Sequence, residues 1–133
     1  MGELEEPTRR PEPRRVLVAD ANPDVRAALC LLLTREPLLC VVGQVGTLSD
    51  LLADARRTGP GLLLLDWDLP GLHDGDGILR LRASCPGAAF IALSTRPECA
   101  RDVLASGCEH FVSKSDPPAR LLAALRAVLH SPA

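Results

Sequence analysis

The sequence predicts an α/β domain built on a doubly wound, five-stranded parallel sheet with five helices. Five short apolar runs alternate along the chain with five stretches whose apolar residues recur at helical spacing. One run, the four leucines at 62–65, shows no alternation of polar and apolar residues, which is typical of a strand buried on both faces. Strands joined through helices lie parallel with right-handed crossovers, so helices are expected on both faces of the sheet.

The strand segments are aliphatic and limited in length by turn residues. A glycine, a serine or a charged residue ends or follows each of them, as expected at the end of a buried strand. The strands are predicted at residues 16–20, 40–45, 62–66, 88–93 and 110–113.

The first helix has well-defined start signals. Asn22 suits the N-cap, Pro23 fits the first helical position, and Asp24 places a negative charge where the helix dipole favours it. Pro37 marks the end of this segment. The apolar stripe of this first helix comprises Val25, Ala28, Leu29, Leu32 and Leu33.

The other helices are predicted from the same spacing. Thr47 or Ser49 caps the second, the third ends near Pro86, the fourth spans 98–105, and residues 115–117 cap the fifth. Their apolar positions are Leu48, Leu51, Leu52 and Ala55 in the second, Ile78, Leu79 and Leu81 in the third, and Leu121, Leu122, Leu125, Val128 and Leu129 in the fifth.

Composition indicates one domain and excludes several partners. Residues 1–14 are mostly Glu, Pro and Arg, so we expect a flexible tail before a single domain over 15–133. The net charge of -2 argues against nucleic-acid binding by this domain, and no apolar run is long enough to cross a membrane. Five scattered cysteines without a Cys-x-x-Cys pair favour a reducing cytoplasm, with neither disulfides nor a zinc site.

Polar side chains follow four of the five predicted strands. Asp20, Asp66, Ser94 and Lys114 each stand at or just after a strand end. Because the carboxyl ends of parallel strands meet at one edge of a sheet, we expect two carboxylates, a hydroxyl and an ammonium in one crevice. Two carboxylates can hold Mg²⁺, and a carboxylate beside the metal can attack phosphorus to form an acyl phosphate.

The segments around these residues resemble the receiver domain of response regulators. They read Val-Leu-Val-Ala-Asp-Ala-Asn-Pro at 16–23, Leu-Asp-Trp-Asp-Leu-Pro-Gly at 65–71, Ile-Ala-Leu-Ser at 91–94 and Phe-Val-Ser-Lys at 111–114. The likeness covers about residue 15 to the C-terminus and is strongest to receivers joined to a helix-turn-helix output domain. It implies a flavodoxin-like fold with strand order 2-1-3-4-5 and a role in two-component signal transduction rather than in enzyme catalysis.

The resemblance also implies roles for individual residues. Asp66 is then the phosphoacceptor, which a sensor histidine kinase phosphorylates. Mg²⁺ is held by Asp20, Asp66 and the backbone carbonyl of Asp68.

Three further features of the family can be placed on this sequence. Ser94 and Lys114 match the hydroxyl and the lysine that bind the phosphoryl group, and Phe111 matches an aromatic switch residue. The surface of the fourth helix, fifth strand and fifth helix corresponds to the family's contact face for a second copy or a target protein. The apolar residues there are Leu104, Leu121 and Ala124.

Two departures from the family pattern affect the expected chemistry. Ala21 stands where receivers usually have the second of two adjacent acids, so Mg²⁺ binding should be weakened. The acidic run at 74–77 is longer than usual, and Asp24, Asp74 or Asp76 could partly compensate for the lost charge.

There are two alternatives to a phosphorylated receiver, the first suggested by these departures and the second by a short motif. A degenerate receiver would act as a protein-interaction module independent of phosphorylation. More remotely, the Asp-Trp-Asp sequence at 66–68 also matches the Asp-x-Asp motif of haloacid-dehalogenase phosphatases, although here it follows the third strand rather than the first.

Overall fold

A computed structural model describes residues 12–131, so most of the predicted tail, residues 1–11, lies outside the described residues. The sheet has five parallel strands in the order 2-1-3-4-5, which confirms the predicted fold. The strands are β1 (Arg14–Ala19), β2 (Leu39–Val45), β3 (Leu62–Asp66), β4 (Ala89–Ser94) and β5 (His110–Ser113). The helices are α1 (Pro23–Leu33), α2 (Leu48–Thr58), α3 (Gly77–Ser84), α4 (Ala100–Ala105) and α5 (Pro118–Leu129), with a 3-10 turn at Pro97–Cys99 before α4.

Strand β3 is the centre of the sheet. It pairs with β1 on one side and β4 on the other, and all five of its residues are buried. Leu63 and Leu65 pack into the core layer beneath α2, α3 and α4, whereas Leu62 and Leu64 pack into the layer beneath α1 and α5. Successive side chains of a strand point to opposite faces, so a strand covered on both faces requires an unbroken apolar run.

Two of the predicted helix caps are confirmed. Asn22 Oδ1 accepts a hydrogen bond of 2.8 Å from the backbone N–H of Asp24, and Thr47 Oγ1 accepts one of 3.1 Å from Asp50. Of the two candidates for the second helix, Thr47 is therefore the cap. Each bond satisfies a backbone donor at a helix start that has no partner within the helix.

The predicted cap of α5 is wrong. Asp116 Oδ2 accepts a hydrogen bond of 3.1 Å from the backbone N–H of Ser113, and Ser115 Oγ lies 2.9 Å from Ser113 Oγ. Pro117 occupies the N-cap position without a side-chain bond. Ser115 and Asp116 thus stabilise the turn after β5, next to Lys114, instead of capping the helix.

Several boundaries and stripe positions also differ from the prediction. β1 begins at Arg14, two residues before the predicted start at residue 16, because the backbone N–H of Arg14 donates to Leu38 O at 2.7 Å. Leu79 is 75% exposed although it follows buried Ile78. Adjacent residues on a helix point about 100° apart, so the short α3 buries one of them and not the next. Ala28 is likewise exposed on α1.

The longer acidic loop folds back on the turn after β3. Gly71 N–H donates to Asp74 Oδ1 at 2.8 Å, and Gly77 N–H donates to Gly71 O at 3.2 Å. A Cβ atom at Gly77 would lie 2.7 Å from Gly71 O and 2.8 Å from Leu72 Cα. Both neighbours are backbone atoms, so the close approach of the two segments requires glycine at 77.

We therefore expect Gly77→Ala to lower the free energy of unfolding by about 2 kcal/mol, because the backbone must shift to admit the methyl group. Urea unfolding measures this loss. The matched control is Gly87→Ala, where a Cβ meets nothing within 4 Å; its effect should stay within about 0.5 kcal/mol. Equal stability of the two variants would contradict the packing of this loop.

Candidate functional site

Two buried carboxylates lie side by side at the carboxyl edge of the sheet. Asp20 directly follows β1, and Asp66 ends the neighbouring β3; they are 2% and 6% exposed. The ammonium of Lys114 lies 2.7 Å from Asp20 Oδ2 and 3.3 Å from Asp66 Oδ1. Three of the residues predicted to converge therefore form one ion cluster.

Backbone amides orient both carboxylates. Asn22 N–H donates to Asp20 Oδ1 at 2.9 Å, and Asp68 N–H donates to Asp66 Oδ1 at 3.0 Å. In each case an aspartate binds the backbone two residues further on, the local geometry of an Asx turn. Among the described residues nothing donates a well-oriented hydrogen bond to Asp20 Oδ2, so this buried oxygen is held chiefly by the charge of Lys114.

The position of Lys114 follows from the sheet. Its backbone N–H donates to Ser94 O at 2.8 Å, which aligns the end of β5 with the end of β4. Burial by itself lowers the pKa of Lys114, but close contact with Asp20 and the negative charges of Asp66 and Asp20 outweigh burial and raise the pKa above its ordinary value. Lys114 is therefore a cation at neutral pH.

Ser94 lies in the crevice but bonds to Asp68 rather than to Asp66. Its hydroxyl donates to Asp68 Oδ2 at 2.8 Å and accepts a hydrogen bond of 3.1 Å from the backbone N–H of Arg96. The guanidinium of Arg96 forms an ion pair with Asp68 Oδ1. Burial alone would raise the pKa of Asp68, but the hydrogen bonds from Arg96 and Ser94 and the charge of Arg96 lower it overall.

Sequence reasoning missed two arginines of this site. Arg96 follows Ser94 by two residues, and Arg26, on α1, donates from Nη1 to the backbone carbonyl of Asp20 at 2.7 Å. A basic residue in a loop or on a polar helix face is usually solvated, so neither position carried a signal by itself. His73 was also missed: its ring stacks on the indole of Trp67 at a centroid distance of 4.7 Å.

The donor set fits a hard divalent cation, though with few charges. Asp20 Oδ2 is a buried carboxylate oxygen without a well-oriented hydrogen bond from the described part of the chain, and Asp66 contributes a second carboxylate beside it. With a backbone carbonyl and waters, two carboxylates suffice for Mg²⁺, which usually keeps several waters. Within residues 12–131 no three His, Cys, Asp or Glu side chains converge on one point.

The acids considered as substitutes for the one lost at Ala21 have other contacts. Asp74 accepts from Gly71, and Asp76 lies 4.0 Å from Arg80 on α3. Asp24 is exposed on the first turn of α1. Neither Asp74 nor Asp76 therefore supplies its carboxylate to the crevice in this arrangement.

The proposed contact face is less apolar than predicted. Leu121 and Ala124 are 4% and 9% exposed and belong to the core layer beneath α1 and α5, whereas Leu104 is 52% exposed. The prediction that Leu121 lines this surface is wrong, because α5 turns it toward the sheet. Ala124, although largely buried, borders the groove between β5 and α5 beside Phe111. Phe111 is partly buried against the opposite core layer.

The fold and this crevice define a class of protein: a receiver with a doubly wound parallel sheet and an acid–lysine cluster at its carboxyl edge. The model of the response regulator receiver domain family matches residues 16–126, and the chain belongs to that family. It is thus a receiver domain of the two-component type, and the Asp-x-Asp sequence at 66–68 is part of a receiver rather than of a phosphatase. No helix within the described part of the chain has the length and apolar character needed to cross a membrane.

Relatives and solved structures support the same assignment. The chain is 31% identical to the transcriptional activator protein ExaE of Pseudomonas putida over 116 residues, 86% of this chain and 54% of that protein. It is 33% identical to the DNA-binding response regulator MtrA of Mycolicibacterium smegmatis over 118 residues, 87% of this chain and 50% of that protein. The chain therefore spans about half the length of these curated relatives.

A solved receiver domain has a similar fold. The isolated receiver domain of RcsB from Salmonella enterica serovar Typhimurium, in the presence of the phosphomimetic BeF3-, matches with a TM-score of 0.78 and 26% identity. The match covers 89% of each chain.

The ion cluster can be tested without a mutation because Lys114 is the single lysine of the sequence. In protein labelled with 13C at lysine Cε, we expect one side-chain signal that titrates above the ordinary value of about 10.4. Since the pKa is raised by folding, the stabilisation from Lys114 is fully present at neutral pH and is lost as pH rises through that raised pKa.

Asp20→Asn should lower this midpoint, because it removes the carboxylate closest to the ammonium. The control is Asp54→Asn, whose carboxylate pairs with Arg57 on α2 at 3.2 Å and should leave the lysine signal unchanged. A midpoint at or below the ordinary value in the native protein would rule out the cluster.

Proposed function

We propose that this receiver takes up a phosphoryl group on Asp66 from a sensor histidine kinase. The observation that carries the proposal is the ammonium of Lys114 lying within 3.3 Å of Asp66 Oδ1 and 2.7 Å of Asp20 Oδ2. A fixed cation beside a buried carboxylate is suited to stabilise the negative charge that a phosphoryl group brings to that carboxylate.

The transfer is a displacement at phosphorus. A carboxylate oxygen of Asp66 attacks the phosphorus of a phosphohistidine; the O–P bond forms as the N–P bond breaks, and the electron pair of the broken bond stays on the donor imidazole. Asp68 N–H already bonds Asp66 Oδ1, which leaves Asp66 Oδ2 as the attacking oxygen. Lys114 then pairs with a phosphoryl oxygen, and the hydroxyl of Ser94 binds another.

Asp20, Asp66 and the backbone carbonyl of Asp68 would hold Mg²⁺. When bound, the ion supplies positive charge to the phosphoryl oxygens. Ala21 removes one negative charge from this set, so the affinity for Mg²⁺ is lower than that of a site with two adjacent acids.

The relatives also support a proposal for the output that this receiver controls. Several are transcriptional regulators by name, so we propose that the receiver controls a DNA-binding output, with DNA contacts made outside this domain. One relative, 37% identical over 86 residues, is a methylesterase of Myxococcus xanthus, but the match covers 24% of that enzyme. We assign this domain a signalling role in the cytoplasm rather than an enzymatic one, with contacts to a second copy or a target through the α4–β5–α5 surface and a switch at Phe111.

A degenerate receiver remains the second candidate. Two observations favour it: the acid missing at Ala21, and the bond of Ser94 to Asp68 instead of an open hydroxyl. In this case the α4–β5–α5 surface would bind its partner without any phosphoryl group on Asp66.

Acetyl phosphate with Mg²⁺ distinguishes the two. We expect one phosphoryl group per chain, detected by intact-protein mass spectrometry and removed by neutral hydroxylamine, which cleaves acyl phosphates. Asp66→Asn should abolish the modification, whereas Asp76→Asn, in the exposed loop, should not. Absence of any modification in the native chain, together with binding of a partner at full strength, would establish the degenerate receiver instead.

Restoring the missing acid should strengthen metal binding. Ala21→Asp is expected to tighten Mg²⁺ binding about tenfold, because one more carboxylate then faces the ion at short range. The fluorescence of Trp67, the single tryptophan, reports binding next to Asp66. Ala21→Asn has nearly the same size without the charge and serves as the control; equal affinities for the two variants would refute the charge argument.

A further inference from the structure

Two contacts converge on the side chain of Asp68, and a third joins the two partner residues to each other. Its Oδ2 accepts the Ser94 hydroxyl at 2.8 Å, and its Oδ1 forms the ion pair with Arg96. The backbone N–H of Arg96 closes the ring by donating to Ser94 Oγ at 3.1 Å. The carboxylate is thus held from two directions by residues that follow β4.

This ring uses the hydrogen-bonding capacity that phosphoryl binding needs. A serine hydroxyl has a single proton to donate, and here it is donated to Asp68. A phosphoryl oxygen on Asp66 can receive that proton only after the bond to Asp68 breaks. Because the acceptor is ionised and is also paired with Arg96, the bond is of the stronger, charge-assisted kind.

We propose that Asp68 and Arg96 form a latch that holds Ser94 away from Asp66 and so disfavours the phosphorylated conformation. The inference rests on the proposed function, which supplies the phosphoryl group that competes for Ser94. Asp68 and Arg96 are positioning residues, since they act through Ser94. The Arg96 side chain is 47% exposed, so the ion pair can open without unfolding the sheet.

The latch also has an electrostatic role. The carboxylate of Asp68 lies two residues from the phosphoacceptor, and an unpaired negative charge there would repel an incoming phosphoryl group. Pairing with Arg96 neutralises it. Removing Arg96 alone would release Ser94 but leave this negative charge unpaired. The gain in affinity for a phosphoryl group is therefore largest when Asp68 itself is replaced.

Binding of BeF3- with Mg²⁺, followed by Trp67 fluorescence, measures the latch. We expect Asp68→Ala to bind the mimic about fivefold more tightly than the native chain, the size of effect expected for one hydrogen bond and one half-exposed ion pair. Asp68→Asn keeps an acceptor for Ser94 and loses the charge, so its affinity for the mimic should lie between those of the native chain and Asp68→Ala. Adding Arg96→Gln to Asp68→Ala should change nothing further.

Arg80→Gln is the matched control, because it removes an arginine that pairs with an aspartate at 4.0 Å on α3, away from Ser94. Its affinity should equal that of the native chain. Unchanged or weaker binding by Asp68→Ala overturns the latch. So does a loss of affinity when Arg96→Gln is added to Asp68→Ala, since Arg96 would then bind the mimic directly.

A second measurement separates the latch from the proposed function. If the native chain and the variants all fail to bind BeF3-, phosphorylation of Asp66 is disproved, and the latch is judged in the ligand-free protein. There, Asp68→Ala should free Ser94 and accelerate hydrogen exchange at the Arg96 amide about fivefold, with a smaller effect for Asp68→Asn. Exchange equal to that of the native chain would overturn the latch on its own.

Discussion

The ammonium of Lys114 between two buried carboxylates is the interaction on which the site depends. Asp20 and Asp66 end adjacent parallel strands, so the fold places two negative charges next to each other where water is largely excluded. Like charges in such a place are costly unless a cation compensates them. Lys114, which directly follows the last strand, supplies that cation.

The backbone around the cluster is organised to keep these charges in place. The amides of Asn22 and Asp68 each hold one carboxylate oxygen, and Asp116 stabilises the turn next to Lys114. Within residues 12–131, Asp20 Oδ2 nevertheless lacks a well-oriented hydrogen bond. A buried oxygen left in this state is a local cost to stability that a cation in the crevice can relieve.

Charge has been redistributed in this chain relative to a receiver with two adjacent acids. One carboxylate is missing at Ala21, while the acid of Asp68 is present but paired with Arg96 on the far side of Ser94. The crevice thus has one carboxylate fewer than such a site, and its serine hydroxyl is bonded to Asp68. In the function proposed above, both features oppose transfer of a phosphoryl group to Asp66.

The sequence by itself determined the order of elements, the central buried strand, the cap at Asn22, and the gathering of Asp20, Asp66, Ser94 and Lys114 at one edge. These follow from local patterns, since side-chain period, capping chemistry and strand ends are properties of neighbouring residues. Only the tertiary structure decided that Thr47 rather than Ser49 caps α2 and that Leu121 faces inward. It also decided that Ser94 bonds Asp68, 26 residues away, and that Arg96 joins them. These contacts join residues that are far apart in the chain, so they depend on how whole strands and loops pack.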